Sequence, residues 1–453
     1  MKSSHNADKL LNAFAAEMTA LLPLPPARVA IAVSGGSDSM ALALLTQEWA
    51  RRAGVALLAF SVDHGLRPEA AAEARQVRDW LAMAGIETVI LTWTGPHPQS
   101  GVQQAAREAR YALMTTECRA RGISHLLLGH QLEDQLETFL MRLSKGSGLE
   151  GLAAMEPARE RNGIKLLRPL LGIPREQLRQ YLQQCGQDWI DDPGNDNPGF
   201  TRTRVGGILA ALQALPGSGQ DSIALALARL QRADDSLEQL AAQFLWAEAE
   251  IDPFGAIKIA DAALCALPEE IALRALAASL RAVGGGAHIR LAAVEDLYQR
   301  MQASEAAGAA MSATLGGAYV TRKNHHWYFC RETGRQGLPE VPLQDGETGW
   351  SWDQRFYIHD LAPSRERSDN LTLRALGPAG GREAVRRALL PAEAGRSSAG
   401  RAASVSIYIR RNVWKSAFSS RFSGILLDTP REFMLKMALK LLPYWNLMLT
   451  DYI

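Results

Sequence analysis

The sequence predicts an α/β protein whose main domain is built on a parallel sheet. Three features carry that expectation: nearly continuous apolar runs of strand length, helical patterns between them, and polar segments clustered where the runs end. "RVAIAVS" (28–34), "VALLAFSVD" (55–63), "ETVILTW" (87–93) and "SHLLLGH" (124–130) read as strands buried on both faces. Between them, Asp38 to Ala53, Pro68 to Ala84 and Gln103 to Arg121 have the length and apolar spacing of helices. Ligands of such sheets bind beyond the C-terminal ends of the strands. That rule singles out "SGGSDS" (34–39), "DHGLRPE" (63–69) and "GHQLEDQLET" (129–138), three polar segments on one rim.

Ahead of the first strand, 1–26 reads as an amphipathic helix, because Asp8, Lys9, Asn12 and Glu17 interrupt its apolar residues and rule out a signal sequence. No run approaches the roughly 18 apolar residues a membrane span needs. The four cysteines (Cys118, Cys185, Cys265, Cys330) lie far apart with no zinc-like spacing, which suits a reducing, cytoplasmic compartment. A net charge of +1 over 453 residues excludes a globally basic nucleic-acid binder, so any RNA contact must come from local patches.

Beyond the first four strands, 135–230 reads as helical with a loop-rich interruption at 188–204, and Asp221 to Met311 as Ala/Leu-rich helix broken at "AVGGGAH". "GGAYVTRKNHHWYFCRE" (316–332) reads as two strands around a turn, and strand-like segments recur near "RFYIHD" and "LTLRAL". The expected organisation is a catalytic domain over 1–215, a mainly helical accessory domain over 216–335, a linker at 336–350 and a small C-terminal α+β region over 351–453.

A strand, a glycine turn and a helix make an anion site, because glycine lets the backbone approach closely and helix-end N–H groups point at the ligand. "SGGSDS" supplies Gly35 and Gly36 for the turn and hydroxyl donors from Ser34, Ser37 and Ser39. It lacks the Walker lysine, and a turn with Asp38 in its place suits a magnesium-bound pyrophosphate better than a γ-phosphate held by an ammonium. The plainer use of the same residues is a helix capped by Ser37 or Asp38. If His130 opens the fourth helix, then His130, Asp134 and Glu137 stand at i, i+4 and i+7 on one face. Two carboxylates there can receive an ammonium and accept a proton, or can simply complement the helix dipole.

With S-G-G-x-D-S directly after a strand, the chain resembles the PP-loop ATP pyrophosphatases, an adenine nucleotide α-hydrolase-like fold. "DHGLRPE", "AAREARY" (105–111), "RPLLGIPREQLRQYL" (168–182) and "DDPGNDNPGFTRTRV" (191–205) follow in order, and in that order and spacing the chain is similar to the tRNA(Ile)-lysidine synthetases. That resemblance implies two steps. ATP with Mg2+ adenylates the C2 oxygen of the wobble cytidine in the CAU anticodon of an isoleucine tRNA, and the ε-amine of free L-lysine then displaces AMP. It implies catalytic roles for Asp38, His130, Asp134 and Glu137, with Asp38 on the metal and Asp134 and Glu137 on lysine. ATP would meet Ser34 to Ser39, Asp63 and Arg110, with His64 and Arg67 behind, and Arg202 and Arg204 would close on nucleotide or tRNA. Charge counting adds a local excess, in which Arg142, Lys145, Arg159, Arg161, Lys165 and Arg168 outnumber Glu150, Glu156 and Glu160; it fits a tRNA phosphate contact, at Arg142 and Lys145 first, or a solvated charged face. Glu133 stands where the family has aspartate and is assigned no role.

A PP-loop tRNA thiolase is the rival enzyme, but it needs reactive cysteines or an iron–sulfur cluster, and no CxxC is present. A tRNA-binding module with a vestigial nucleotide fold is the non-enzymatic alternative, and it would have lost the residues that are retained. Monomer and homodimer are both open. The resemblance stops near 387. Basic and aromatic residues over 381–421 fit either an RNA-binding surface or a shifted reading frame.

Overall fold

The computed structural model describes residues 2–66, 69–95, 100–191, 205–209, 211, 220–251, 255–285 and 289–332, and short strands at 341–342, 349–352, 356–360, 372–373 and 405–409. It divides into two compact units, 1–234 and 235–453.

The first unit carries a six-stranded sheet of order β3-β2-β1-β4-β6-β5. The strands are β1 (Arg28–Ala32), β2 (Ala56–Asp63), β3 (Glu87–Thr92), β4 (His125–Leu127), β5 (Ala158–Arg161) and β6 (Ile164–Leu167). All neighbours are parallel except β5, which runs antiparallel to β6 at the edge. The four expected strands and three expected helices are present: α2 (Ser37–Ala53), α3 (Ala70–Met83) and α4 (Val102–Ala120). The N-terminal helix α1 (Lys2–Leu21) buries Leu10, Phe14, Met18 and, just beyond it, Leu22, one residue every helical turn. They pack with α2 and with α7 (Arg175–Cys185) on one face of the sheet. On the other face Tyr111, Met114 and Cys118 of α4 cover Ala30, Leu58 and Leu126.

Two expectations are corrected here. The stretch 135–230, read as helix and loop, contains the hairpin β5–β6 as well as α5 (Leu132–Leu143) and α6 (Leu149–Leu152). Its turn is Asn162-Gly163, both at positive φ, the geometry that Asn-Gly favours in a tight hairpin. And α5 begins at Leu132 with Gln131 as its N-cap, so His130 precedes the helix rather than opening it.

The helix α8 (Gln220–Glu248) contributes Leu227 to a cluster with Leu132, Leu136, Ala154 and Leu209 of the first unit. In the second unit, expected to be mainly helical, α9 (Asp261–Cys265), α10 (Glu269–Gly284) and α11 (Leu291–Ala306) accompany a five-stranded antiparallel sheet. That sheet contains β7 (Glu250–Ile251), β8 (Ile257–Ala260), β9 (Ser312–Leu315) and the expected hairpin β10 (Ala318–Lys323) and β11 (His326–Arg331), in the order β7-β8-β11-β10-β9. Alternation along β10 and β11 buries Val320, Trp327 and Phe329 against α10. A buried ion pair from Arg322 to Asp261, 2.7 Å, ties β10 to α9. Further on, β12 (Val341–Pro342), inside the expected linker, pairs with β15 (Thr372–Leu373), and β14 (Phe356–Asp360) lies between β13 (Gly349–Trp352) and β16 (Val405–Ile409). β14 and β15 fall in the two segments read as strand-like. Among the described residues no helix is long and apolar enough to cross a membrane.

Candidate active site

Strand order reverses between β1 and β4, because β2 and β3 continue to one side of β1 while β4 and β6 continue to the other. The loops leaving β1 and β4 therefore diverge and open a crevice at their C-terminal ends. "SGGSDS" leaves β1 and "GHQLED" leaves β4. Gly129 lets them touch: a Cβ there would lie 3.2 Å from the Ser39 Cα and 3.3 Å from the Asp38 carbonyl.

The turn is held by its own serines. Ser39 Oγ donates to the Gly36 carbonyl at 2.9 Å and accepts from the Ser34 N–H at 3.2 Å. Gly35 sits at φ +94°, and a Cβ there would meet Val77 Cγ2 at 2.7 Å and Ile190 Cδ1 at 2.9 Å. The Ile190 N–H also donates to the Gly35 carbonyl at 2.9 Å, so the chain after α7 closes on the turn. Gly36 is the N-cap of α2 and no side chain caps the helix. The plainer use of Ser37 or Asp38 as a cap is thus not what this turn does, and the first N–H groups of α2 face the crevice mouth in the arrangement that binds anions.

Asp38 is partly buried and has three charged or polar neighbours. Ser37 Oγ donates to its Oδ1 at 3.3 Å and Arg175 Nε to its Oδ2 at 3.3 Å. Burial pushes its carboxyl above the ordinary aspartate range, the Arg175 guanidinium pulls the other way, and Asp134 adds to the rise. Asp134, the third residue of α5, accepts from the Gln131 N–H at 3.1 Å while the Gln131 side chain accepts from the Glu133 N–H, a reciprocal capping box. The acidic first turn therefore stabilises its helix, and Asp134 is near enough to act on the Asp38 carboxyl. Glu137 lies one turn further along α5 and is partly exposed. Asp63 ends β2, and its Oδ1 accepts from the Gly65 N–H at 3.0 Å. Arg110 is exposed on α4, and Lys145 is exposed just past α5. Arg142 is turned inward, with Nη1 donating to the Gly151 and Ala154 carbonyls at 2.7 and 2.8 Å. Arg67, Arg202 and Arg204 lie outside the described residues.

Arg175, which the sequence did not single out, and Glu133, to which it assigned no role, both adjoin this site. The Arg175 N–H donates to Glu133 Oε2 at 3.0 Å, so Glu133 anchors the start of α7 and places the guanidinium on Asp38. The signal was position: Arg175 follows β6 on the same rim, and β6 went unrecognised. Replacing Arg175 with methionine removes the main neighbour that lowers the Asp38 carboxyl and leaves the Ser37 hydrogen bond alone against burial and Asp134, which raise it. The midpoint of the Asp38 carboxyl titration, followed by NMR, should move to higher pH. An unmoved midpoint in a variant of unchanged Tm would rule out this coupling.

A family model described as a PP-loop domain matches residues 4–212. The tRNA(Ile)-lysidine synthase of Bradyrhizobium diazoefficiens is 41% identical over 319 residues, 68% of this chain and 88% of that protein. The tRNA(Ile)-lysidine synthase of Ruegeria pomeroyi is 35% identical over 377 residues, 83% of this chain and 84% of that protein. Among solved structures, the U34-tRNA thiolase NcsA from Methanococcus maripaludis aligns with a TM-score of 0.44 and 20% identity, covering 51% of this chain and 80% of that one. With the nucleotide turn and the acidic helix meeting at the switch point and relatives matched over most of their length, the chain belongs to the tRNA(Ile)-lysidine synthase family.

Proposed function

We propose that the chain joins free L-lysine to C2 of the wobble cytidine in an isoleucine tRNA with a CAU anticodon, cleaving ATP to AMP and pyrophosphate. One observation carries this most directly: the loop that opens the acidic helix packs on the nucleotide turn at Gly129, and Arg175, whose N–H is held by Glu133 of that helix, donates to Asp38. In the first step the cytidine C2 oxygen attacks the α-phosphorus, a P–O bond forms, and the bond to pyrophosphate breaks. In the second the lysine ε-amine attacks C2, a C–N bond forms, the C2–O bond to AMP breaks, and the amine gives up a proton. The turn from Ser34 to Ser39 holds the part of ATP that leaves, using backbone N–H groups and serine hydroxyls. Asp134 and Glu137 receive the lysine ammonium, and one of the nearby basic groups takes its proton.

The donor set fits Mg2+, which binds through one or two carboxylates together with phosphate oxygens. Asp38 would hold it, since a cation offsets what burial and Asp134 impose on that carboxylate. When bound, the ion supplies charge neutralisation on the phosphates. Lys145, with Arg202 and Arg204, would meet tRNA, while Arg142 mainly holds the α5–α6 connection. Sulfur transfer draws no support from the thiols: Cys118 is buried on α4 with its thiol pushed up to about 12 by burial, and burial raises those of Cys185 and Cys265 as well.

Nucleoside analysis of the tRNA after incubation with ATP and lysine should show lysidine at the wobble position. Pyrophosphate release that never yields a lysine-dependent product would overturn the proposal.

A further inference from the structure

We propose that a pocket of about 400 Å³ between α4 and the β5–β6 hairpin is a phosphate subsite for the backbone of the RNA substrate. Four arginines line it, Arg107 from α4 and Arg159, Arg161 and Arg168 from the hairpin and its exit, against Glu108 and Glu160. Glu108 is taken up by an ion pair with Arg161, whose guanidinium carbon also lies 4.4 Å from the centre of the Tyr111 ring. Arg107 lies over the same ring at 5.4 Å, so Tyr111 sets two guanidiniums side by side.

Arg168 is the built part of the site. Its residue is 7% exposed, Nη1 donates to the Glu156 carbonyl at 2.6 Å, and Nε is buried with no hydrogen-bond partner among the described residues. A guanidinium fixed by the Glu156 carbonyl, in a pocket lined by four arginines and two glutamates, one of them already paired with Arg161, suits an oxyanion. Glu156, whose carbonyl takes Nη1, is the other acid beside it.

The occupant is argued from placement. The nucleotide turn opens α2, which packs on the opposite face of the sheet from α4, so the pocket lies across the sheet from the helix that the turn opens. Arg168 follows β6 at the same rim, and its backbone support continues through Met155, held by the Gln135 side chain at 2.7 and 2.9 Å, into α5 next to Asp134. An anion there is rigidly tied to the helix that would handle the base, as a nucleotide neighbouring the target requires. Only the identity of this occupant rests on the proposed tRNA reaction.

The test uses the full chain and a labelled anticodon stem-loop RNA with a CAU anticodon, titrated by fluorescence anisotropy over a salt series. Arg159→Ala and Arg107→Ala should each weaken RNA binding roughly three- to tenfold and lower the salt slope by about 0.7 to 1, leaving ATP affinity unchanged. Arg52→Ala, which removes an exposed arginine paired with Glu48 on α2, is the control and should change neither. Unchanged RNA affinity and slope in both pocket variants overturn the proposal. So does a fall in ATP affinity alone, which would make the pocket part of the nucleotide site. So too does a thermal shift by inorganic phosphate that Arg159→Ala abolishes without touching RNA binding. If the pocket variants lose RNA affinity while no lysidine is ever formed, the function fails and the subsite stands.

Discussion

Asp38→Asn should cut pyrophosphate release by roughly two to three orders of magnitude, a loss of about 3–4 kcal/mol of transition-state stabilisation, in a protein that melts no lower than wild type. The two halves of this expectation come from the same contacts. Adenylation builds negative charge between the α-phosphate and the leaving pyrophosphate, and the nucleotide turn contributes only neutral donors besides this carboxylate. Asparagine keeps the shape and can still accept from Ser37, but it cannot hold a cation. In the fold without ligand, burial and Asp134 both work against the charged form of Asp38, and Arg175 and Ser37 recover only part of that. Removing the charge relieves a cost that the native structure carries. A group kept against its own stability is the pattern expected of a functional site. Release of labelled pyrophosphate with saturating RNA, beside a melting curve, checks both. Near wild-type release would remove Asp38 from the reaction, and lost activity with a large fall in Tm would mark it as a structural residue.

The parts of the fold legible in the sequence were those whose burial leaves a period. Leu10, Phe14 and Met18 recur every four residues, and β1 and β2 are apolar almost throughout because both faces are covered. The edge hairpin left no such trace. β5 exposes Arg159 and Glu160 in succession, so nothing alternates, and β6 is four residues long with Lys165 exposed in it. The Asn-Gly turn between them was the available sign. Missing β6 had a consequence at the site, since it is the strand that delivers Arg168 and then Arg175 to the rim. Charge counting saw Arg142 as surplus positive charge, whereas the structure turns it inward onto carbonyl oxygens. His130 was misplaced by two residues because an N-cap glutamine is uncommon and the carboxylates after it suggested an earlier start. Two-residue strands such as β7 lie below what any local pattern can report.

Glu137→Ala should separate the two chemical steps. Asp134 is a poor probe of lysine handling, because it is buried and completes the capping box of α5, so its removal disturbs the helix as well as the site. Glu137 lies a turn further on, outside the cap and partly exposed, and its replacement by alanine leaves a residue of high helix propensity. On the proposed assignment adenylation is the work of the nucleotide turn and Asp38, so pyrophosphate release should stay within about threefold of wild type. Lysine transfer should fall by roughly 10²- to 10³-fold, the range in which a positioned acid–base group contributes, and adenylated RNA should accumulate. The lysine dependence then divides the roles. If Glu137 only binds the ammonium, KM for lysine rises and excess lysine restores the rate. If it takes the proton, kcat falls and no concentration of lysine recovers it. Equal losses in both steps would place Glu137 in the nucleotide machinery instead and would disconnect the acidic face of α5 from lysine.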